Sequence, residues 1–363
     1  MSKAKALYIH IPFCTYLCNY CDFTKLQYFS KFVNPYLNEL KKEIERYHVE
    51  EIETIYVGGG TPTSLSLDEL KTLLEIIKPY SKGVKEYTFE ANPDTLTINK
   101  LSLLKVYGVN RLSIGVESTD SNTLKTCNRH HTFLDAKEAI NNARKVGFNN
   151  INVDIILGIQ DNIIKVKEDI MNIVSLDVEH ISCYSLTVYE HTKFYLDGRK
   201  DLDDDIARNY YDLVSSILKE KGYIHYEISN FAKKGYHSLH NLTYWKDEEY
   251  FGVGLGASGY LDNVRYTNTK SITKYLKGEY KDYEEMVNKE DDKEYFIMLN
   301  LRTIFGLSLS TYQNRFQEDL YQKKKNEIDE LIQNGYLNKE NDILIPTYEG
   351  MMTLDSIVLK LID

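Results

Sequence analysis

The strongest constraint on this chain is a group of three cysteines near its N-terminus. Cys14, Cys18 and Cys21 are spaced C-x3-C-x2-C and follow an apolar run, residues 6–11, that predicts a short buried strand. Thiolates are the soft ligands that hold iron–sulfur clusters, and a compact loop can bring three of them to three corners of one [4Fe–4S] cube. The fourth iron then has no protein ligand, so a small molecule can bind and react there.

Two other interpretations of these cysteines stay open on spacing alone. They could be structural thiols, or they could form half of a zinc site. Structural zinc usually takes four ligands from two spaced pairs, and the chain has no second C-x2-C. His10 could add a ligand, but it lies within the strand pattern. The chain has five cysteines, an odd number with three clustered, which favours reduced thiols and a cytoplasmic protein over disulfides.

Charge and hydropathy exclude several functions. The chain has 363 residues, 42% of them hydrophobic, enough for a large core and a second, smaller domain. Its net charge of −10 disfavours binding to nucleic acid or to an anionic membrane surface. No stretch approaches the roughly 18 apolar residues of a membrane span, and the first residues lack the apolar region of a signal peptide. We therefore expect no nucleic acid partner and no membrane span.

Strand and helix patterns alternate six times along the first half of the chain. Such alternation predicts an α/β fold in which parallel strands are joined by right-handed helical crossovers. The predicted strands are residues 6–11, 52–57, 86–89, 109–116, 151–157 and 180–186.

Several of these strands end in residues suited to binding. Gly58-Gly59-Gly60-Thr61 follows the second strand, where glycines let backbone approach a ligand closely, although a simple tight turn is an alternative. Glu90 ends the third strand, the position at which parallel barrels place functional groups, unless it is merely an exposed loop acid. Asp154 lies inside an apolar run, so it must be paired or functional.

The segment from Tyr8 to Cys14, Tyr-Ile-His-Ile-Pro-Phe-Cys, with the C-x3-C-x2-C spacing resembles the radical S-adenosylmethionine (SAM) superfamily. Within it, the resemblance is to the oxygen-independent coproporphyrinogen III oxidase-like family, and it runs along nearly the whole chain. It implies a partial, open (βα)6 barrel and a [4Fe–4S] cluster held by Cys14, Cys18 and Cys21. It also implies that SAM chelates the open iron and that an electron cleaves SAM to methionine and a 5′-deoxyadenosyl radical.

The resemblance also assigns SAM contacts along the strand ends. Glu117 differs from the family's usual Gln at this position, because a carboxylate keeps the shape and the acceptor but lacks the amide donor. Arg129 would reach the SAM carboxylate, since a guanidinium fork suits that group, although the residue alone could be a solvated loop charge. The residues implied are Tyr8, Gly59, Gly60 and Thr61 (the glycine run holding the SAM amino group), Glu90, Glu117, Arg129, Asp154 (ribose hydroxyls) and Thr187 (adenine).

A second stretch carries His240-Asn241-Leu-Thr-Tyr244-Trp245, which includes the only tryptophan of the chain. It could be a packed aromatic turn. It could also contact haem or another tetrapyrrole, because histidine is a common axial ligand and flat aromatics stack on macrocycles. The H-N-x-x-Y-W pattern resembles the haem-chaperone branch of the family. That resemblance implies haem as a cofactor, His240 as its contact, and haem-acceptor proteins and an electron donor as partners.

Three functions follow: a haem chaperone, a coproporphyrinogen oxidase, or a radical SAM enzyme acting on another substrate. The oxidase branch has a further cysteine two residues past the third ligand, where this chain has Phe23, and a long extension before the cluster loop. Both differences, with the H-N-x-x-Y-W pattern, favour the haem chaperone and argue against coproporphyrinogen oxidase activity. Whether SAM is cleaved productively stays open.

From about Tyr266 the pattern becomes mostly helical, with a short hairpin before a last apolar helix at residues 354–362. The family has a winged-helix-like appendage at this place. We therefore predict a barrel domain over residues 1–265, with the cluster, SAM and haem sites, and a mostly helical C-terminal domain over residues 266–363. The glycine-rich segment at residues 254–259 fits G-x-G-x-x-G but lacks a βαβ frame, so we interpret it as a close-packed loop.

Overall fold

The structure, a computed structural model, describes residues 4–160 and 162–362. Its main element is one sheet of twelve strands, ordered β12-β11-β10-β9-β1-β2-β3-β4-β5-β6-β8-β7. The strands are β1 (Ala6–Ile11), β2 (Thr54–Gly59), β3 (Glu86–Ala91), β4 (Arg111–Glu117), β5 (Ile151–Leu157), β6 (His180–Ser185), β7 (Ile224–Glu227), β8 (Asn230–Ala232), β9 (Tyr250–Val253), β10 (Ser258–Leu261), β11 (Val264–Asn268) and β12 (Lys281–Met286).

Strands β1 to β6 are parallel neighbours in chain order. Helices connect them, so the predicted α/β fold with six βα alternations is confirmed. Most residues of these strands are buried, as expected for a parallel sheet covered by helices. Because β7 and β12 stand at the two ends of the strand order, the sheet is an open, partial barrel.

Capping residues set the ends of several helices in the barrel region. Ser66 caps α2, since its hydroxyl accepts from Glu69 N while Glu69 Oε2 accepts from Ser66 N at 2.8 Å. Gly147, with φ of 96°, ends α5 in the left-handed conformation that suits glycine. The helices are α1 (Ser30–Arg46), α2 (Leu67–Ile77), α3 (Ile98–Val106), α4 (Ser121–Thr126), α5 (Phe133–Val146), α6 (Ile163–Val174), α7 (Lys193–Leu196), α8 (Asp204–Glu220), α9 (Leu239–Trp245) and α10 (Ile272–Tyr275).

The C-terminal unit has its own apolar core, which includes Phe296, Leu307 and Leu344. Three short strands, Leu307–Ser308, Ile343–Pro346 and Leu337–Glu340, form its antiparallel sheet. This agrees with the predicted winged-helix-like unit. Its helices are α11 (Lys289–Asn300), α12 (Leu309–Phe316), α13 (Leu320–Lys323), α14 (Lys325–Gln333), α15 (Tyr348–Met352) and α16 (Leu354–Ile362).

The division between the two units differs from the predicted one. A boundary between residues 265 and 266 would cut β11, which pairs with both β10 and β12. Tyr275 and Tyr280 also pack in the main core, because their hydroxyls bond to Glu43 and Glu39 of α1. We therefore place the boundary after Met286.

In the described part of the chain, none of the helices combines the length and apolar character needed to cross a membrane.

Candidate functional site

A cavity of about 370 Å³ opens at the carboxyl ends of the parallel strands. This is the edge at which parallel barrels carry their functional groups. Eleven of the residues predicted to bind the cluster or SAM line it together: Cys14, Cys18, Cys21, Gly59, Gly60, Thr61, Glu90, Glu117, Arg129, Asp154 and Thr187.

The cysteine loop is fixed by hydrogen bonds to the turn that follows α4. Asn19 donates its backbone N–H to Cys127 O at 3.1 Å and its side-chain amide to Thr126 O at 2.8 Å. Asn128 donates to Leu17 O at 2.8 Å. The protein's own contacts therefore hold the loop against the barrel edge.

The three thiols of Cys14, Cys18 and Cys21 line the same cavity. Burial raises the pKa of Cys14 to about 12, and the nearby thiols of Cys18 and Cys21 add to the increase. Among the described residues, no three His, Cys, Asp or Glu side chains gather as ligands of one metal ion. In a [4Fe–4S] cube each thiolate binds a different iron, and three thiols on one short loop supply three of these ligands. A tetrahedral zinc ion would take a fourth ligand, so the three thiols fit a [4Fe–4S] cluster better.

The glycine run has no room for side chains. A Cβ at Gly58 would lie 2.6 Å from Glu90 Cδ, and one at Gly60 would lie 2.8 Å from the Pro12 carbonyl carbon. Two of the predicted loop glycines, Gly58 and Gly59, belong to β2, which extends two residues beyond the predicted strand. Glycine is therefore required here because the backbone and Glu90 approach so closely.

Glu90 is held by two donors at the base of the cavity. Tyr56 donates its hydroxyl to Oε1 at 2.7 Å, and Gly59 donates its N–H to Oε2 at 2.9 Å. Burial raises the pKa of Glu90 to about 7, and the negative charges of Asp154 and Glu117 contribute to that increase.

Asp154 is paired through hydrogen bonds rather than through a cation. Ser113 Oγ donates to its Oδ2 at 3.2 Å and Asn152 Nδ2 donates to its Oδ1 at 2.8 Å. Burial nevertheless raises the pKa of Asp154. The buried charge anticipated from sequence is thus satisfied by neighbours on β4 and β5, while the carboxylate lines the cavity.

Arg129 connects the cysteine loop to the end of β4. Its guanidinium donates to Gly115 O and, from Nη1, to Cys18 Sγ at 3.7 Å; Nη1 also lies 3.8 Å from Glu117 Oε1. Glu117 has φ of 66° where the β4–β5 register shifts, so the strand bends as it enters the cavity. Burial raises the pKa of Glu117 to about 7, although the positive charge of Arg129 acts to lower it.

Three carboxyl groups and one guanidinium thus face the same space. Such a cavity complements an amino acid-like cation: the acids suit ammonium and sulfonium charges, and Arg129 suits a carboxylate.

Two predicted contacts do not line the cavity. The Tyr8 hydroxyl lies 3.0 Å from His10 Nδ1, below the cavity and beside Tyr56. His240 is fully buried in α9, with Nδ1 2.9 Å from Thr54 Oγ1 and Nε2 2.7 Å from Tyr244 OH. In this arrangement both ring nitrogens of His240 are occupied, so it presents none to a metal.

Sequence reasoning missed some residues around the cavity. Tyr56 and Asn92 both line it, and Asn92 Nδ2 donates to Thr61 Oγ1 at 3.2 Å. Tyr56 and Thr54 are two residues apart on β2, so their side chains lie on the same face of the sheet. This pair of polar side chains was the signal that could have revealed Tyr56.

Exposed aromatic side chains surround the mouth of the cavity. Tyr16, Phe23, Tyr184 and Tyr189 line it and are 44%, 66%, 42% and 44% exposed. Tyr16 also stacks on His130, with ring centroids 3.7 Å apart. Large apolar rings left in solvent are typical of a surface that binds a flat or apolar partner.

Comparison with known proteins shows the family to which the chain belongs. Residues 8–173 match the family model of the radical SAM superfamily, and residues 287–353 match that of the HemN C-terminal domain. The heme chaperone HemW of Bacillus subtilis (strain 168) is 38% identical, with 96% of each chain covered. That of Lactococcus lactis subsp. lactis (strain IL1403) is 34% identical over 96% of this chain and 95% of its own.

Among solved structures, coproporphyrinogen III oxidase (HemN) from Escherichia coli superposes with a TM-score of 0.85. The match covers 98% of this chain and 89% of that one, at 19% sequence identity. At that identity the likeness concerns the fold, the open barrel together with the C-terminal unit.

Proposed function

The chain belongs to the heme chaperone HemW family of radical SAM proteins, and from this membership we propose that it binds haem and transfers it to acceptor proteins. The observation that carries the proposal is similarity along the whole chain, 38% identity over 96% of both sequences. The site adds independent support, because thiols, glycines, acids and an arginine converge on one cavity.

Within this proposal, Cys14, Cys18 and Cys21 hold the [4Fe–4S] cluster. Their thiols line one cavity, and the loop that carries them is held by hydrogen bonds to Thr126, Cys127 and Asn128. A bound and reduced cluster would supply the electron for cleavage of SAM. The protein's part is to bind, orient and shield.

The SAM contacts follow from charge and position. Glu90 and the backbone around Gly59 and Gly60 would receive the amino group, and Arg129 its carboxylate. Asp154 would accept from ribose hydroxyls and Thr187 would lie at the adenine. Glu117 neutralises Arg129 in part, and Tyr8 supports the base of the site through His10.

For haem, the aromatic mouth of the cavity is the surface that best suits a planar macrocycle. Tyr16, Phe23, Tyr184 and Tyr189 offer exposed ring area beside the cluster loop. We propose this surface as the haem contact. The proposal also includes an electron donor for the cluster and a cytoplasmic location, supported by five free cysteines.

The test uses anaerobically reconstituted, dithionite-reduced protein with SAM. Haem and coproporphyrinogen III are added separately, and then an apo-haem protein is offered as acceptor. A Soret band on haem addition, followed by haem transfer and no decarboxylation, supports the chaperone. Decarboxylated porphyrinogen with stoichiometric 5′-deoxyadenosine would instead establish an oxidase.

A further inference from the structure

The H-N-x-x-Y-W segment forms helix α9 beneath the cavity, and His240 is its innermost residue. The His240 side chain is fully buried and both its ring nitrogens are bonded, to Thr54 of β2 and to Tyr244 within α9. Burial and the positive charge of Arg111 lower the pKa of His240 to about 3, so the ring is neutral. A neutral imidazole with two hydroxyl partners is a satisfied structural group.

The same ring packs against a residue of the site. Its centroid lies 5.3 Å from that of Tyr56, with the planes inclined by 33°. Tyr56 in turn donates to Glu90 Oε1 at 2.7 Å. His240 is therefore one aromatic contact and one hydrogen bond away from a cavity carboxylate.

Helix α9 is also bound to the strand that carries Glu90. Glu86 accepts hydrogen bonds from the backbone N–H of Leu239 at 2.9 Å and of His240 at 3.0 Å, and from Ser238 Oγ at 3.3 Å. The Glu86 carboxylate thus accepts from free N–H groups at the N-terminus of α9, where a negative charge is favourable. Because Glu86 and Glu90 are four residues apart on β3, their side chains lie on the same face.

His240 thus touches both strands that build the base of the cavity. Thr54 and Tyr56 lie on β2, which ends in Gly59, and Glu86 lies on β3, which carries Glu90. A change in this ring therefore reaches Glu90 through the ring of Tyr56.

We propose that His240 is a positioning residue of the SAM site, which holds Tyr56 and through it fixes the Glu90 carboxylate, and that it does not ligate haem. The inference rests on the proposed function in one respect, the assignment of Glu90 as a SAM contact. It extends that function by giving the H-N-x-x-Y-W histidine a role toward SAM.

The experiment measures SAM affinity by anaerobic equilibrium dialysis of the cluster-loaded full chain. His240→Ala removes the ring and should weaken SAM binding about tenfold. His240→Phe keeps a flat ring against Tyr56 but cannot bind iron, and should stay within about threefold of the parent protein. This rescue separates ring packing from any role of the imidazole nitrogens.

Two further variants make the test specific. Tyr56→Phe leaves the ring and removes the donor to Glu90, so it should weaken SAM binding, and adding His240→Ala to it should cost less than His240→Ala alone. His225→Ala is the matched control, because His225 is also packed against aromatic rings but contacts Tyr211 and Phe231 instead. It should leave SAM affinity unchanged.

Unchanged SAM affinity in His240→Ala, or an equal loss in His225→Ala, would overturn the inference. If His240→Ala does not fold, the SAM affinities of His240→Phe and Tyr56→Phe test the inference instead. Haem titration of His240→Phe is the second readout: a retained Soret band supports the inference, and its loss with intact SAM binding overturns it. Absence of haem binding by the parent protein would refute the proposed function while the SAM data still decide the role of His240.

Discussion

Asp247 and Arg315 join the barrel to the C-terminal unit. Arg315 Nη2, on α12, donates to Asp247 Oδ2 at 2.9 Å, and Arg265 of β11 donates to Oδ1 of the same carboxylate at 2.7 Å. The Asp247 side chain is completely buried. One carboxylate therefore pairs with two guanidinium groups that come from different units, and Asp292 supplies a second negative charge beside Arg315 at 2.5 Å.

We expect Asp247→Asn to destabilise the protein, because Arg265 then loses the carboxylate that it pairs with and Arg315 keeps only Asp292, at a partly desolvated place. Breaking one member of such a group costs about 3 kcal/mol. Asn keeps the left-handed backbone of Asp247, whose φ is 55°, so the change isolates the charge. The midpoint of urea unfolding measures the loss of stability. Asp262→Asn, at an exposed position with φ of 51°, is the control and should change little; equal midpoints for both variants would contradict the role of Asp247.

We predict that Cys14→Ser, Cys18→Ser and Cys21→Ser each lose the cluster, since a serine hydroxyl is a poor ligand for iron–sulfur centres. Iron and sulfide content after anaerobic reconstitution measures this. Cys127→Ser and Cys183→Ser should keep about the parental content, because those thiols are buried in apolar clusters. Full iron content in all five variants would refute the assignment.

SAM affinity should depend on pH through Glu90. Because burial raises the pKa of Glu90 to about 7, the carboxylate is charged above that pH and neutral below it. A cationic ligand therefore binds more tightly at pH 8, by roughly tenfold over pH 6 if only the charged form binds. Equilibrium dialysis across this range should show the change.

In Glu90→Gln the affinity should be lower and the pH dependence flatter. Asp94→Asn is the matched control, since Asp94 is an exposed acid in the turn that follows β3. A Glu90→Gln variant that keeps the parental pH profile would show that another group titrates.

Cluster loading should depend on the hydrogen bond from Asn128 to Leu17. Asn128→Gly removes the donor but keeps a residue that tolerates φ of 58°. The cysteine loop then loses one contact worth about 1 kcal/mol, so iron incorporation should slow several-fold while the fold persists. The rate of iron incorporation is measured by stopping the reconstitution with iron and sulfide at successive times and determining the bound iron. Asn341→Gly, an exposed position with φ of 52°, should load at the parental rate; matching rates for both variants would count against the role of Asn128.

Much of the barrel could be predicted because its signals are local. Six apolar strand patterns separated by helical periodicity determine the parallel order, and acids or glycines at strand ends indicate the edge that carries the site. The strands β9 to β12 were harder to predict. After β9, which is parallel to β1, strands β10 to β12 are antiparallel, and the turn at Asp262 and Asn263 has no glycine although both residues have positive φ.

The surroundings of His240 could not be predicted from the sequence. Its partner Thr54 is 186 positions away along the chain, and its neighbour Tyr56 has the pattern of an ordinary strand aromatic. The motif identified the chain's relatives, whereas only the tertiary structure placed the imidazole below the cavity. The same holds for Glu117, whose left-handed backbone depends on a register shift between two strands.

Trp245, at the end of α9, lies under the guanidinium of Arg302, 4.4 Å from its ring centroid, and Arg302 also pairs with the buried Glu227 at 3.2 Å. Because this is the only tryptophan of the chain, its fluorescence comes from one known place, the contact between the barrel and the C-terminal unit. Haem absorbs where tryptophan emits, so energy transfer from Trp245 would give the distance to bound haem. A shift in its emission wavelength would follow separation of the two units, and neither measurement needs a label.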